Sequence, residues 1–587
     1  MRMPQFNTMR WWVALMLVAS VATVSGVGAA NAKGGGGGGT AKPPKGAVSP
    51  WVIPTLADPP FSVATANLHG FDDTGLIESA GPLDGTGCSA DPDTWGGTVT
   101  LNGIVFTIPC NLIVQMPANT LTWAQFVNGS DSAGALPVKG LELRVVGNMV
   151  GTAHIAGLAY ASQQSVNVGT GTITGLDYAQ GTMLVDNGSG ATVRVQINDP
   201  VVDGLLDSNN NPTGRFSAGQ SPDPRFSVDQ DNPTIHASTG YPMCIPRTDP
   251  SAASDPLCPQ ANRPLAPPSP NPTGIPACRN FSVAGVVPPA AGELTPPRAG
   301  QVYCSQYVMP TPPADNTTPI TGPDARQQAP FEVGDFVSYS GSLMQDGNGN
   351  DFVSAHTIEA NLGIYTQPGT QPAYMAIGEF GVGTADPAAT AVNGAAQETQ
   401  DRIFLESETT DVKTPVDIYY QDSRADGSIF NRWITPFEMT GENATPLSGP
   451  TGGITTQNTG AQPQRARLRA TKAPAGLLSQ PSRTVRVAQR SLCMPTPVDP
   501  TVTTINQAAL DTCFSGARRV ANGLKAGQYQ APVFEYIFPE NVMPGDLPVP
   551  NDLWHLPFLR THTEVGGTNL VDGEGVGHTG ALVPSPW

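Results

Sequence analysis

Asn167-Val-Gly-Thr-Gly-Thr-Ile-Thr174, Thr182-Met-Leu-Val185 and Thr192-Val-Arg-Val-Gln-Ile197 are three β-rich runs separated by glycine-bearing turns. Far downstream, Phe331-Glu-Val-Gly-Asp-Phe-Val-Ser-Tyr-Ser-Gly341 and residues 352–362 supply two more. β-branched and aromatic residues, with turn residues at each break, mark them as strands. Short strands of this number suit closure on themselves, which removes exposed edges. The pattern predicts a small OB-like β-barrel over residues 163–366, interrupted after its third run.

The interruption, residues 201–330, carries 25 prolines. Proline removes a backbone donor and fixes φ, so this stretch cannot be regular helix or central sheet. Four cysteines lie in it, Cys244, Cys258, Cys278 and Cys304. An irregular lobe stapled by disulfides is therefore expected.

Outward from the barrel the chain stays β-rich. Within 51–162, Gly97-Thr-Val-Thr-Leu-Asn-Gly103 followed by 104–108 reads as a hairpin turning at Asn102-Gly103, with further strands at 141–146 and 154–160. Within 367–490, runs at 402–406, 415–420, 430–435, 465–471 and 484–488 alternate with turns such as Asp426-Gly427. They predict an Ig-like β-sandwich without the disulfide of antibody domains. Residues 491–587 are expected to wrap over the rest, with one short helix at 505–514 capped by Thr504. The predicted class is all-β and multidomain: an OB-like barrel with a long Pro-rich, disulfide-stapled insertion, plus an Ig-like sandwich.

Composition agrees. With 59 prolines and 65 glycines, about one residue in five is a helix breaker, which excludes bundles and coiled coils. The net charge of −18 repels nucleic acid, so none is expected as a partner.

Residues 1–32 read as a secretory signal: Arg2 and Arg10 precede an apolar run at 11–22, and Ala30-Asn31-Ala32 offers small residues for cleavage. Residues 33–50, opening with Gly34 to Gly39, read as a Gly/Pro-rich tether. The eight cysteines (Cys88, Cys110, Cys244, Cys258, Cys278, Cys304, Cys493 and Cys513) fall into neighbouring couples separated by 22, 14, 26 and 20 residues. Pairing within couples closes short loops, each contributing about 3 kcal/mol. No Cys-x-x-Cys is present, so structural bridges in a secreted, periplasmic or cell-surface protein are expected.

Several strings are distinctive: Ile155-Ala-Gly-Leu-Ala-Tyr-Ala-Ser-Gln-Gln164, Arg194-Val-Gln-Ile-Asn-Asp-Pro200, Asp223 to His236 leading into Tyr241-Pro-Met-Cys-Ile-Pro-Arg247, and Gly523-Leu-Lys-Ala-Gly-Gln-Tyr529 with Ile537-Phe-Pro-Glu540. They resemble a family of secreted β-rich proteins found in fungi and bacteria. The resemblance implies membership and secretion. It implies no activity and no catalytic residue.

Two constellations are candidates for chemistry. Asp199, Asp203, Asp223, Asp229, Asp231 and Asn232 offer hard oxygen donors at the edge of the insertion, the ligand type Ca2+ takes. The competing reading pairs these acids with Arg194, Arg225 and Arg247 nearby. Arg465, Arg467 and Arg469 alternate on one strand face, and Lys472, Arg483, Arg486 and Arg490 bring the total to seven positive charges in 26 residues. Such a face suits an acidic polysaccharide; alternatively it pairs across strands with acids such as Glu406, Glu408 and Asp417. Asp346-Gly-Asn-Gly-Asn-Asp351 departs from a calcium loop at its sixth and twelfth positions and reads as a hairpin tip. His555, His562 and His578 read as exposed tail residues. No G-x-S-x-G elbow or phosphate loop occurs, and no dinucleotide fingerprint stands on a strand–helix turn. The functional expectation is a cell-envelope or extracellular binding or structural protein that recognises an acidic polysaccharide or other surface polymer. The alternative is an extracellular hydrolase using the Asp-rich rim.

Overall fold

The computed structural model describes residues 68–86, 88, 90–118, 120–129, 137–150, 152–162, 166–199, 216–217, 221–229, 231–251, 255–265, 303–309, 323–367, 371–383, 400–411, 416–423, 429–434, 465–469, 473–474, 478–479, 481–489, 519–520 and 524–536. The segments expected as signal and tether, Asp203, Cys278, Cys493, Cys513, the helix expected at 505–514 and the C-terminal histidines lie outside them.

The N-terminal region builds β1 (Leu68–Ala80), β2 (Gly97–Leu101), β3 (Ile104–Ile108), β4 (Ile113–Gln115), β5 (Thr120–Thr122), α1 (Trp123–Asn128), β6 (Glu142–Val150) and β7 (Ala153–Ser162). The β2–β3 hairpin turns at Asn102-Gly103, both at positive φ, as a tight two-residue turn requires. The sheet runs β3-β2-β1-β6-β7, and β7 returns to pair with β3 in parallel, closing a five-stranded barrel. Val99, Leu101, Phe106, Leu143 and Val145 point inward and are fully buried. The short helix α1 was not expected from sequence. It starts in a capping box between Thr122 and Gln125 and stops at left-handed Gly129. Trp123 and Phe126, one turn apart, join the barrel core.

The next segment repeats this circuit. β8 (Val166–Asp177), β9 (Thr182–Asp186) and β10 (Thr192–Ile197) form a meander; after the insertion, β15 (Phe336–Gln345) and β16 (Asp351–Ala360) form a hairpin. The order is β10-β9-β8-β15-β16, and β16 closes on β10 in parallel. Both barrels therefore follow one path: three meandering strands, a crossover, then a hairpin whose last strand lies parallel to the third. Each bulges in its first strand, between Ile77 and Ser79 and between Ile173 and Gly175.

The insertion lobe adds β11 (Ile235–Ala237), β12 (Met243–Cys244), β13 (Gln306–Val308) and β14 (Ala329–Pro330), with β17 (Gly363–Tyr365) following the barrel. Few ladders are available to so proline-rich a segment, so side chains satisfy its backbone. The Asn262 amide donates to the carbonyls of Asp324, Gln327 and Gln328, and Arg263 forks onto Asp335 at 2.7 and 2.9 Å. Cys244 and Cys258 are bridged, as are Cys88 and Cys110 in the first barrel. Cys304 is also disulfide-bonded.

The C-terminal part contains β18 (Met375–Gly383), β19 (Gln400–Thr409), β20 (Val416–Ser423), β21 (Ile429–Trp433), β22 (Arg465–Arg469), β23 (Ala473–Pro474), β24 (Thr484–Gln489), β25 (Arg519–Val520), β26 (Leu524–Lys525), β27 (Gln528–Pro532) and β28 (Glu535–Tyr536). Two sheets, β22-β19-β18-β28 and β21-β20-β24-β27, share one core that includes Phe380, Leu405, Ile418, Val485 and Val487. Among the described residues no helix is long and apolar enough to cross a membrane.

Candidate functional site

The acidic stretch is taken up by structural bonds. Asp199 is buried and accepts from the Phe216 amide at 2.8 Å. Asp223 caps a short 3-10 turn and forks onto buried Arg225. Asp229 accepts from the amides of Asp231 and Asn232 and from the Asn232 side chain. Asp231 pairs with Lys525 at 2.8 Å, and Asn232 bonds both backbone groups of Gln530, clamping the lobe onto β27. Of the arginines weighed as partners, Arg225 pairs with Asp223, while Arg194 pairs with Asp346 and Arg247 with Asp255. Among the described residues no three His, Cys, Asp or Glu side chains gather to hold a metal ion. The Asp346 tip is a hairpin turn between β15 and β16.

The arginines divide between two sheets. Arg465 and Arg467 stand opposite Glu408 and Glu406 in the β19–β22 register, an alternation of opposite charge, with Arg469 opposite Phe404. Arg486 is buried on β24, in the other sheet, and donates to the Gln530 side chain at 3.1 Å. Arg483, at the start of that strand, crosses to the first barrel. Its Nη1 donates to the Asn111 carbonyl at 2.9 Å. The five do not form one planar face.

Arg483 leads to a cleft. β7 pairs with β3 at His154–Ile155 and with β4 at Ala159–Tyr160, but between these the chain at 109–112 swings away. Gly157 is a bulge residue with no partner on β6 either, so the edge of β7 is open here. The swing is fixed by the Cys88–Cys110 bridge and by Asn111 at positive φ. The opposite wall comes from the sandwich. Val533 donates its amide to the Arg483 carbonyl, and the Tyr536 hydroxyl donates to the Ser482 carbonyl. Leu158 packs onto the sandwich core and joins the two bodies. The cavity is about 50 Å³, and its lining includes Gln115, Gly157, Tyr160, Arg483 and Tyr536.

Gln115 and Tyr160 are register neighbours across the β4–β7 pair, and both face this cavity. The Gln115 amide and the Tyr160 hydroxyl make no hydrogen bond with the described residues. The Arg144 guanidinium lies 5.5 Å from the centre of the Tyr160 ring and forks onto Asp72 at 2.8 and 2.6 Å. Burial pushes the Tyr160 phenol upward; Arg144 opposes this, while Asp72 and Glu535 reinforce it. The hydroxyl therefore keeps its proton and both donates and accepts. Sequence reading placed residues 154–160 in a strand but gave Tyr160 and Gln115 no role. Parallel pairing of strands distant in sequence brings them together, and no local motif announces it.

A second cluster sits in the lobe. Glu332 is buried, accepts from the Gln260 amide, and is pushed up to about 7 by that burial, against the pull of Arg263. Asp229 is likewise raised by burial, to about 6. The chain matches no protein-family model, no curated protein and no solved structure.

Proposed function

We propose that this is an extracytoplasmic binding protein that engages a surface polysaccharide at the cleft between the first barrel and the sandwich. The observation that carries this reading is the pair Gln115 and Tyr160, whose amide and hydroxyl make no hydrogen bond with the described residues, in a partly apolar recess. Small-molecule sites have this form: apolar walls with a few convergent polar groups. The proposal also takes both barrels as OB-like, on their shared circuit, and the sandwich as Ig-like; each architecture hosts binders. The signal-like N-terminus, the structural disulfides and the resemblance to secreted β-rich proteins support the location.

The test is depletion of the chain from residue 33 onward by insoluble polysaccharides and envelope fractions, with calcium and with chelator. Depletion by at least one matrix, insensitive to chelator and weakened in Gln115→Ala, is expected. Absence of depletion from every matrix rejects the reading, and loss in chelator returns attention to Asp199–Asn232.

A hydrolase is favoured by one observation, the buried carboxyl of Glu332 poised near neutrality as a proton donor. It requires soluble product from those matrices, lost in Glu332→Gln.

A further inference from the structure

We infer that the cleft takes a neutral, hydroxyl-rich sugar unit and not a charged one, an inference that rests on the binding reading above. Charge around the recess is balanced. Arg144 is neutralised by Asp72 in a two-bond fork, Glu535 lies within electrostatic reach of Tyr160, and Arg483 on the far wall donates to the Asn111 carbonyl. The molecule as a whole carries −18, which disfavours polyanions. The two lining groups that make no hydrogen bond with the described residues are neutral: a carboxamide, which donates and accepts, and a protonated phenol, which does the same. Sugar hydroxyls are also both donor and acceptor, so each finds a complement here. A carboxylate only accepts and leaves the Gln115 carbonyl oxygen facing an acceptor.

Size sets the mode. About 50 Å³ is room for a few waters, which matches one edge of a pyranose entering from a chain that runs outside. The apolar walls around Leu112, Leu158 and Val533 then meet its C–H face.

The second barrel makes the contrast. Its closing strand pairs with β10 up to Ala355 and with β11 from Ile358, leaving the same notch. The bulge residue there is His356 where the first barrel has Gly157, and its imidazole is buried. One circuit forms the notch twice. The bulge of one copy carries a buried imidazole, and that of the other carries glycine beside Gln115 and Tyr160, whose amide and hydroxyl make no hydrogen bond with the described residues.

The experiment is titration of the secreted full chain with soluble hexasaccharides of the gluco-, manno- and xylo- series, and with oligogalacturonate and oligomannuronate of equal length, at low and high salt. Binding to a neutral series, unchanged by salt, is expected. Loss of one hydrogen bond predicts about three- to tenfold weaker binding in Tyr160→Phe and in Gln115→Ala, with unchanged melting as the folding control. Preference for the uronates with affinity falling in salt overturns the inference while leaving the binding reading intact. Neutral binding that neither variant weakens removes the cleft as its seat. No binding by any series, with no matrix depletion, rejects both.

Discussion

Glu332 and His356 are buried titratable side chains and Asp229 is a half-buried one, and their signs decide how stability follows pH. Burial raises Glu332 to about 7 and Asp229 to about 6, so the folded state binds more protons than the unfolded chain between roughly pH 4 and 7. Their contribution is complete below the unfolded carboxylate range and is lost as pH rises through the folded values. His356 behaves oppositely: burial lowers it to about 4, so its contribution is present above its unfolded value and lost as pH falls. Replacing Glu332 with Gln keeps an amide where a neutral acid sits and removes one proton from the linkage. Melting temperature followed from pH 4.5 to 8 is expected to decline less steeply in Glu332→Gln than in the parent. A shift of this size corresponds to about 3 kcal/mol across the window. An unchanged profile means that the carboxylate is charged and paired at neutrality. None of this was legible in the sequence. Glu332 lies inside the string that announced the barrel strand, and only its enclosure by Gln260 and Tyr303, distant in the chain, alters its chemistry.

The strands themselves were largely legible, because alternation with turn punctuation is a local signal. Residues 167–174, 192–197 and 484–488 form strands where they were expected, and the run expected at 352–362 forms one that ends at Ala360. Sheet membership was not legible. Arg469 and Arg483 are 14 positions apart in sequence, yet β22 and β24 enter different sheets, so a continuous basic face failed to form. The bulged hairpins show what a local reading misses. Gly147 on β6 and Gly341 on β15 occupy corresponding places beside the bulge of the following strand. A Cβ would lie 2.0 Å from the Ile155 carbonyl oxygen at the first and 2.2 Å from that of Ser354 at the second. Neither backbone can retreat without breaking its ladder. Gly147→Ala and Gly341→Ala are each expected to lose about 2–4 kcal/mol in denaturant unfolding. A loss below 0.5 kcal/mol at either site places the bulge elsewhere.

At the scale of the molecule, two barrels share one circuit. The connection between third and fourth strands spans 109–141 in one and 198–335 in the other, so no fixed period exists to detect. The two connections nevertheless do similar work, because each leaves the closing strand at its bulge and returns beyond it. In the first barrel the departure is pinned by Cys88–Cys110, and Cys110 lines the cleft; in the second barrel Cys244–Cys258 staples the lobe, and neither cysteine lines the cleft. The chain-entropy argument assigns the two bridges similar stabilisation, about 3 kcal/mol each. Their functional effects should therefore separate. Paired Cys88→Ser and Cys110→Ser, and paired Cys244→Ser and Cys258→Ser, are each expected to lower the melting temperature. Only the first pair should weaken capture of the neutral oligosaccharide, because only there does the freed loop carry Asn111, and with it the anchor of Arg483, away from the opposite wall. Equal loss of capture in both variants points to global loosening, and loss in the second alone moves the binding seat to the lobe.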